Sequence, residues 1–317
     1  MALRTAFTDL LQIEHPIVLA PMGGAAGGTL AAAVSNGGGL GLIGAGRGDF
    51  EWIDREVAHL VARTDRAWGI GFQTWSATEE GMKRALAYGP DVIMLSFGDP
   101  APVAPVVVES QCVLMVQVVD LDEARRAAAV GADVIVAQGS EAGGHGGTRA
   151  TLPFVPAVVD LVSPIPVLAA GGITDGRGLA AALSLGAAGA LVGTQFQACT
   201  EAIADPEVLK AIVEKSGEDT ERSRLLDIAR GVPWPARYTA RTLRNEFLDH
   251  WRDRPDDLRA DVAAQEEYRL AEVAGDMRVV PVWAGEAIDL ITECLPAADV
   301  VRAMAADAEA TLRRILD

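Results

Sequence analysis

The chain has 317 residues, half of them hydrophobic, and a formal charge of −17. That length and apolar content can bury one large core, and an α/β barrel of this size folds as a single unit. The acidity, with no Lys/Arg-rich block to offset it, argues against nucleic acid as a partner. An anionic cofactor would then have to be held by helix N-termini and backbone N–H groups. The cysteines, Cys112, Cys199 and Cys294, lie far apart and form neither a disulfide framework nor a zinc spacing, which points to a reducing cytoplasm. The first residues lack a signal-peptide h-region and no apolar stretch is long enough for a bilayer, so a cytoplasmic protein without a membrane span is expected.

Taken in order, His15 to Met22 is an apolar run that ends in a glycine loop, Gly23 to Gly28. Thr29 to Asn36 follows as a helix, Leu40 to Ala45 as a second buried run, and Glu51 to Arg63 has the helical spacing of Ile53, Val57, Leu60 and Val61. The alternation continues with strands over Ala67 to Thr74, Val92 to Phe97 and Cys112 to Val119, then Asp133 to Ala137, Pro166 to Ala170 and Ala188 to Gly193. Helical patterns separate them at Thr78 to Tyr88, Pro102 to Ser110, Leu121 to Val130, Phe154 to Val162 and Gly178 to Leu185. Continuous apolar strands alternating with helices signal a parallel sheet covered on both faces.

Eight such repeats predict an α/β fold, a (β/α)8 TIM barrel, with a helical insertion after strand eight. A doubly wound open sheet ranks second, because the glycine-rich loops recur after many strands instead of gathering at one switch point. A barrel needs about 250 residues, so some chain is left over. The eighth helix is expected from Asp205-Pro206, an N-cap and N1 pair. The expected organisation is a cofactor-binding barrel over 1–215 and a charged helical insertion over 216–281 that caps the mouth. Trp234, Tyr238, Phe247, Trp251 and Tyr268 fall in that insertion. Apolar helices over 282–317, Ala287 to Leu295 and Ala297 to Leu316, would pack back on the barrel, and they could form an interface in a homo-oligomer.

Three glycine-bearing strand ends carry the candidate chemistry. Strand six runs into Ala137 to Gly147, a loop in which Gly143, Gly144 and their neighbours surround His145. Strand seven ends in Ala170-Gly171-Gly172, and strand eight in Gly193-Thr194. Barrel active sites lie on this face, and the loops after strands seven and eight commonly hold a phosphate. Glycine there lets the backbone approach a flat ligand, and leaves the imidazole as the bulky polar group. Pro21, Met22 and Gly23 close strand one in the same plane. Gln73, Gln117 and Gln138 sit near the ends of strands three, five and six, where buried amides need a ligand or each other. Glu141 could orient the imidazole or be a surface carboxylate. His15, His59 and His250 read as structural or solvated. A metal site fails for want of a second ligand, a Ser-His-Asp site for want of a G-x-S-x-G elbow, and Cys199 reads as core packing.

HPIVLAPMGG, SEAGGHGG, AAGGITDGRG and GALVGTQF, in this order, resemble the nitronate monooxygenase family, formerly the 2-nitropropane dioxygenases. The resemblance implies FMN, with its pyrimidine edge near Pro21, Met22 and Gly23 and its phosphate near Gly171, Gly172, Gly193 and Thr194. Gln73, Gln117 and Gln138 would contact the flavin, and His145 would be the catalytic residue. Gln117 stands where some relatives carry lysine. The implied reaction is oxidation of a nitronate or nitroalkane with O2 to a carbonyl compound and nitrite. Enoyl-acyl-carrier-protein reductases and NADH:quinone reductases share the motif pattern, so an NAD(P)H-dependent FMN reductase is the alternative. A flavin-binding protein without turnover is a third reading.

Overall fold

A computed structural model describes residues 3–316. Eight parallel strands form one sheet: β1 (Ile17–Leu19), β2 (Gly41–Gly46), β3 (Trp68–Gln73), β4 (Val92–Ser96), β5 (Val113–Val118), β6 (Val134–Gln138), β8 (Val167–Ala170) and β9 (Gly189–Val192). Their spatial order is β1-β9-β8-β6-β5-β4-β3-β2, and a parallel bridge from Val18 to Leu40 joins the two ends into a barrel. Leu40 N donates to Ile17 O and Leu19 N to Leu40 O, each at 2.9 Å, so the seam is hydrogen-bonded. A short extra strand, β7 (Gly144–Gly146), leaves the barrel at the end of β6.

Side chains alternate along these strands, as the pleat requires. Val18, Leu42, Met94, Met115, Val136, Leu168 and Leu191 point inward and fill the barrel, while Phe7 of the first helix (Ala6–Leu11) plugs its lower end. Ile43, Ile70, Leu95, Val116, Ile135, Ala169 and Ala190 point outward beneath the helices. Strand glycines allow close approach at two places that shape the upper rim. A Cβ on Gly71 would stand 2.3 Å from Pro21 Cβ and Cγ, and one on Gly44 would stand 2.4 Å from Met22 C and O. The chain after β1 can therefore fold inward over the rim of β2 and β3.

Every predicted barrel strand is present, but the eighth helix is not where it was expected. Asp205 does cap a helix, Pro206–Glu214, accepting from Glu207 N at 2.8 Å. That helix packs in a separate small core with Ala198, Leu243, Val282 and Ile288. The slot between the first and seventh barrel helices is filled instead by Ala297–Leu316, which lies on Gly176–Ser184 and Gly28–Asn36. Gly176 admits it, since a Cβ there would meet Ala308 N at 2.4 Å. The insertion is thus spliced between strand eight and its helix.

The inserted segment is also less purely helical than its sequence suggests. Helices Leu225–Arg230, Glu246–Trp251, Pro255–Ala260 and Val262–Val273 are joined by β10 (Thr220–Ser223) and β11 (Thr239–Leu243). These two strands pair antiparallel, and β11 pairs antiparallel with β7, placing Ala240 opposite His145. The sheet gives the glycine-rich β7 backbone partners for its ladder groups. The expected helix Ala287 to Leu295 shrinks to a 3-10 turn, Glu286–Leu290, bracketed by Gly285 and Pro296. No helix among the described residues is long and apolar enough to cross a membrane.

Candidate active site

Pro21, Met22, Gly23, Gln73, Gln117, Gln138, Gly143, Gly144, His145, Ala170, Gly171, Gly172, Gly193 and Thr194 all line one cavity of about 340 Å³ at the C-terminal end of the barrel. Strand register explains the polar row on its floor: Gln73 lies beside Ser96, and Ser96 beside Gln117. Ser96 Oγ, Gln117 Nε2 and Gln138 Oε1 are buried and have no hydrogen-bond partner among the described residues. A buried amide or hydroxyl without a partner costs about 1–3 kcal/mol. Three in one cavity suit a ligand with a polar edge. Gln138 is anchored from its other end, donating from Nε2 to His145 O at 3.0 Å.

The glycines after β8 and β9 form a backbone cradle. Gly171 (φ +103°) and Gly172 (φ +72°) adopt left-handed conformations, and a Cβ on Gly171 would meet Ala142 N and Gly139 O at 3.0 Å. The amides of Gly172, Gly193 and Thr194 donate to no protein acceptor among the described residues. The longer helix that follows β8 offers less, because Asp175 already accepts from Arg177 N and Gly178 N at 2.9 and 3.1 Å. Thr194 Oγ1 accepts from Gly285 N at 3.0 Å, which ties the end of the insertion to this loop.

His145 is held from the insertion. Its Nε2 lies 2.9 Å from Asp227 Oδ1 and 3.1 Å from Oδ2, with both side chains nearly buried. An ionised carboxylate can only accept, so Nε2 carries a proton and donates it, and in the neutral ring Nδ1 is then the acceptor. The imidazole stacks on Trp234, with centroids 3.5 Å apart and planes 9° apart. Trp283 and the edge of Phe97 complete an aromatic wall around it. Phe97 sits at φ +67°, a conformation that costs a non-glycine residue about 1–3 kcal/mol. Such strain persists where packing over-determines it; here the Phe97 ring contacts Trp234 and Tyr238 at 5.2 and 5.4 Å.

The loop that presents His145 is clamped by two arginines. Arg222 donates to Ser140 O at 2.9 Å and to Ala142 O at 3.0 Å, and Arg241 donates to Ser140 O at 3.1 Å. Burial, and then the neighbouring Arg241, pulls the Arg222 guanidinium down to about 10, still protonated at neutral pH. Tyr238 docks the insertion on the barrel, donating to Glu123 Oε1 at 2.6 Å, and burial raises its phenol well above the usual range.

Glu141 does not orient the imidazole. Its carboxylate accepts from Thr151 N at 2.9 and 3.0 Å and from Thr151 Oγ1 at 2.9 Å, bracing the loop against the next helix. Cys199 is fully buried, and burial pushes its thiol up to about 12, which suits core packing. Asp227, Trp234 and the Arg230 that also lines the cavity come from the charged segment, and Trp283 lies just beyond it; none of them stands in a motif that marks a role. The one available signal was that tryptophans cluster there in a chain with only 5% aromatic residues.

A closed parallel barrel whose βα loops gather a buried imidazole, orphan amides and a glycine cradle on its C-terminal face has the design of a barrel enzyme. The nitronate monooxygenase family model matches residues 4–77 and 70–307, so the chain belongs to that family and is an oxidoreductase. It is 33% identical over 353 aligned positions to a nitronate monooxygenase of Neurospora crassa, covering 95% of this chain and 91% of that one. It is 37% identical to the (3aS,4S,5R,7aS)-5-hydroxy-7a-methyl-1-oxo-octahydro-1H-indene-4-carboxyl-CoA dehydrogenase of Mycobacterium tuberculosis, over 78% of this chain and 68% of that protein. Among solved structures, FabK from Thermotoga maritima superposes with a TM-score of 0.87 at 31% identity, covering 99% of this chain and 98% of that one.

Proposed function

We propose that this chain is an FMN-dependent nitronate monooxygenase that oxidises a nitronate or nitroalkane with O2 to a carbonyl compound and nitrite. The observation that carries the reading is His145, fixed by Asp227 and Trp234 beside a row of orphan polar groups and a glycine cradle. The orphans Ser96 Oγ, Gln117 Nε2 and Gln138 Oε1 fit the polar edge of a flavin ring, with Gln73 beside them in register. Pro21, Met22 and Gly23 would border that edge from the opposite rim. Gly143, Gly144 and Ala170 would line the ring's flank. Gly171, Gly172, Gly193 and Thr194 would hold the phosphate by main-chain amides, as an acidic chain requires. Bound there, FMN would supply the electron-accepting chemistry that a nitronate needs, with O2 as the second substrate.

The protein's own part is positioning and proton transfer. With Nε2–H committed to Asp227, His145 Nδ1 can accept the α-proton of a neutral nitroalkane, and the resulting imidazolium is stabilised by the carboxylate behind it. A preformed nitronate needs no such base. Trp234 and Trp283 keep bulk water from the imidazole, and Arg230, over the Trp283 ring and paired with Glu272 at 3.2 Å, lines the same cavity. Steady-state turnover of a nitroalkane and its nitronate by the flavin-loaded protein tests this; no nitrite from either would remove the reading.

A second reading is an FMN oxidoreductase that exchanges reducing equivalents between NAD(P)H and a quinone or acyl thioester. The likeness to a carboxyl-CoA dehydrogenase favours it. Anaerobic mixing with NADH separates the two. Rapid flavin bleaching at low NADH supports the reductase, and bleaching by a nitronate alone supports the monooxygenase.

A further inference from the structure

A second cavity, of about 610 Å³, opens within the insertion, between β10 and the helices Leu225–Arg230 and Pro255–Ala260. Its charged lining is Arg222, Arg224, Arg252 and Arg259 against Glu221 and Asp256. Four cations against two anions make this pocket net positive in a chain whose overall charge is −17. General surface composition would predict the opposite sign.

Following each charge to its partner isolates one residue. Arg252 is bound by Glu221 and Asp249, each at 2.7 Å, and Arg259 is bound by Asp256. Arg222 spends its donors on the carbonyls of Ser140 and Ala142 in the His145 loop and of Thr239 in β11. Both lining carboxylates are therefore used. Arg224 has neither an ion pair nor a side-chain hydrogen bond among the described residues, and its Nε is buried without a partner. An unpartnered, partly buried guanidinium is costly to keep unless something anionic completes it. Its planar fork of donors matches a phosphate bidentately, and the cavity has the volume of a nucleotide-sized ligand site.

We propose that this cavity binds the phosphate groups of a phosphorylated ligand, with Arg224 as the principal anion contact. The site lies close to the chemistry through one short helix. Arg224 immediately precedes Leu225–Arg230, Asp227 in that helix holds His145, and Arg230 at its end lines the main cavity. A ligand seated on Arg224 is thus one helical turn from the residue that orients the imidazole.

Titration calorimetry on the FMN-saturated protein with inorganic pyrophosphate and with ADP tests this, using wild type, Arg224→Gln and the charge-keeping Arg224→Lys. Binding by the wild type is expected to weaken as salt rises; at fixed salt it is expected to be about tenfold or more weaker in Arg224→Gln, and less so in Arg224→Lys. Equal affinity for the two probes would assign the site to the anion alone, and tighter binding of ADP to a whole nucleotide. No binding by the folded wild type, or salt-insensitive binding, overturns the proposal. So does binding that is unchanged in Arg224→Gln or, if that variant does not fold, binding in Arg224→Lys as tight as in the wild type.

Discussion

Replacing Asp227 with asparagine removes one charge and almost no volume, and so isolates what the carboxylate does for His145. One ring nitrogen approaches two carboxylate oxygens at 2.9 and 3.1 Å, which counts as a single shared, charge-assisted hydrogen bond. Both partners are nearly buried, so solvent screens the pair little. Hydrogen bonds to charged groups contribute about 1.5–3 kcal/mol. If that support is felt in full when the imidazole becomes cationic, Asp227→Asn should lower kcat/KM for a neutral nitroalkane about 10- to 150-fold. The preformed nitronate, which asks no proton transfer of His145, should lose less than about threefold by the same reasoning. Nitrite release by flavin-loaded enzyme, measured side by side on the nitroalkane and its nitronate, gives the two ratios. Equal losses on both substrates, or no loss on either, would refute the claim that Asp227 acts by supporting His145 as a base.

Three other outcomes follow from the same geometry. His145→Ala should keep its flavin and lose most nitroalkane turnover; unchanged turnover in the flavin-replete variant would take His145 out of the mechanism. Gly71→Ala would set a Cβ 2.3 Å from the Pro21 ring. It should displace the loop after β1, lower flavin content on purification, and destabilise by about 1–3 kcal/mol in a denaturant titration; full flavin occupancy and wild-type stability would contradict it. Burial raises the Cys199 thiol from 9.0 to about 12. The unfolded chain gives up that proton first, so the folded state holds more protons between these values and stability falls as pH rises through the window. The melting temperature of Cys199→Ala should decline less steeply than that of the wild type from pH 9 upward, and identical slopes would exclude the thiol as a contributor.

The barrel was legible because parallel strands covered on both faces read as unbroken apolar runs, and all eight, from Ile17–Leu19 to Gly189–Val192, are found where those runs lie. The barrel's share of the cavity was legible for a related reason: residues that immediately follow such runs fall on one face by construction. What escaped is what depends on contacts between distant segments. Asp227 lies 82 residues from His145 in a charge-dense stretch where one more aspartate carries no mark. Strands β10 and β11 hide in Thr-Glu-Arg-Ser and Thr-Ala-Arg-Thr-Leu because their arginines bind loop carbonyls and Glu221 pairs with Arg252, instead of facing solvent. The identity of the eighth barrel helix was out of reach for the same reason. Pro206–Glu214 and Ala297–Leu316 are both amphipathic, and it is contacts between distant segments, such as the close approach of Gly176 to Ala308, that put the second on the barrel.

The visible absorption spectrum of the purified protein, followed by anaerobic addition of ethyl nitronate, bears most directly on the central reading. A yellow protein whose oxidised-flavin bands bleach with the nitronate, and whose heat-released cofactor is FMN, is the predicted result. A colourless protein that takes up no added FMN, or a flavin that stays oxidised with the nitronate while NADH bleaches it at once, would contradict it.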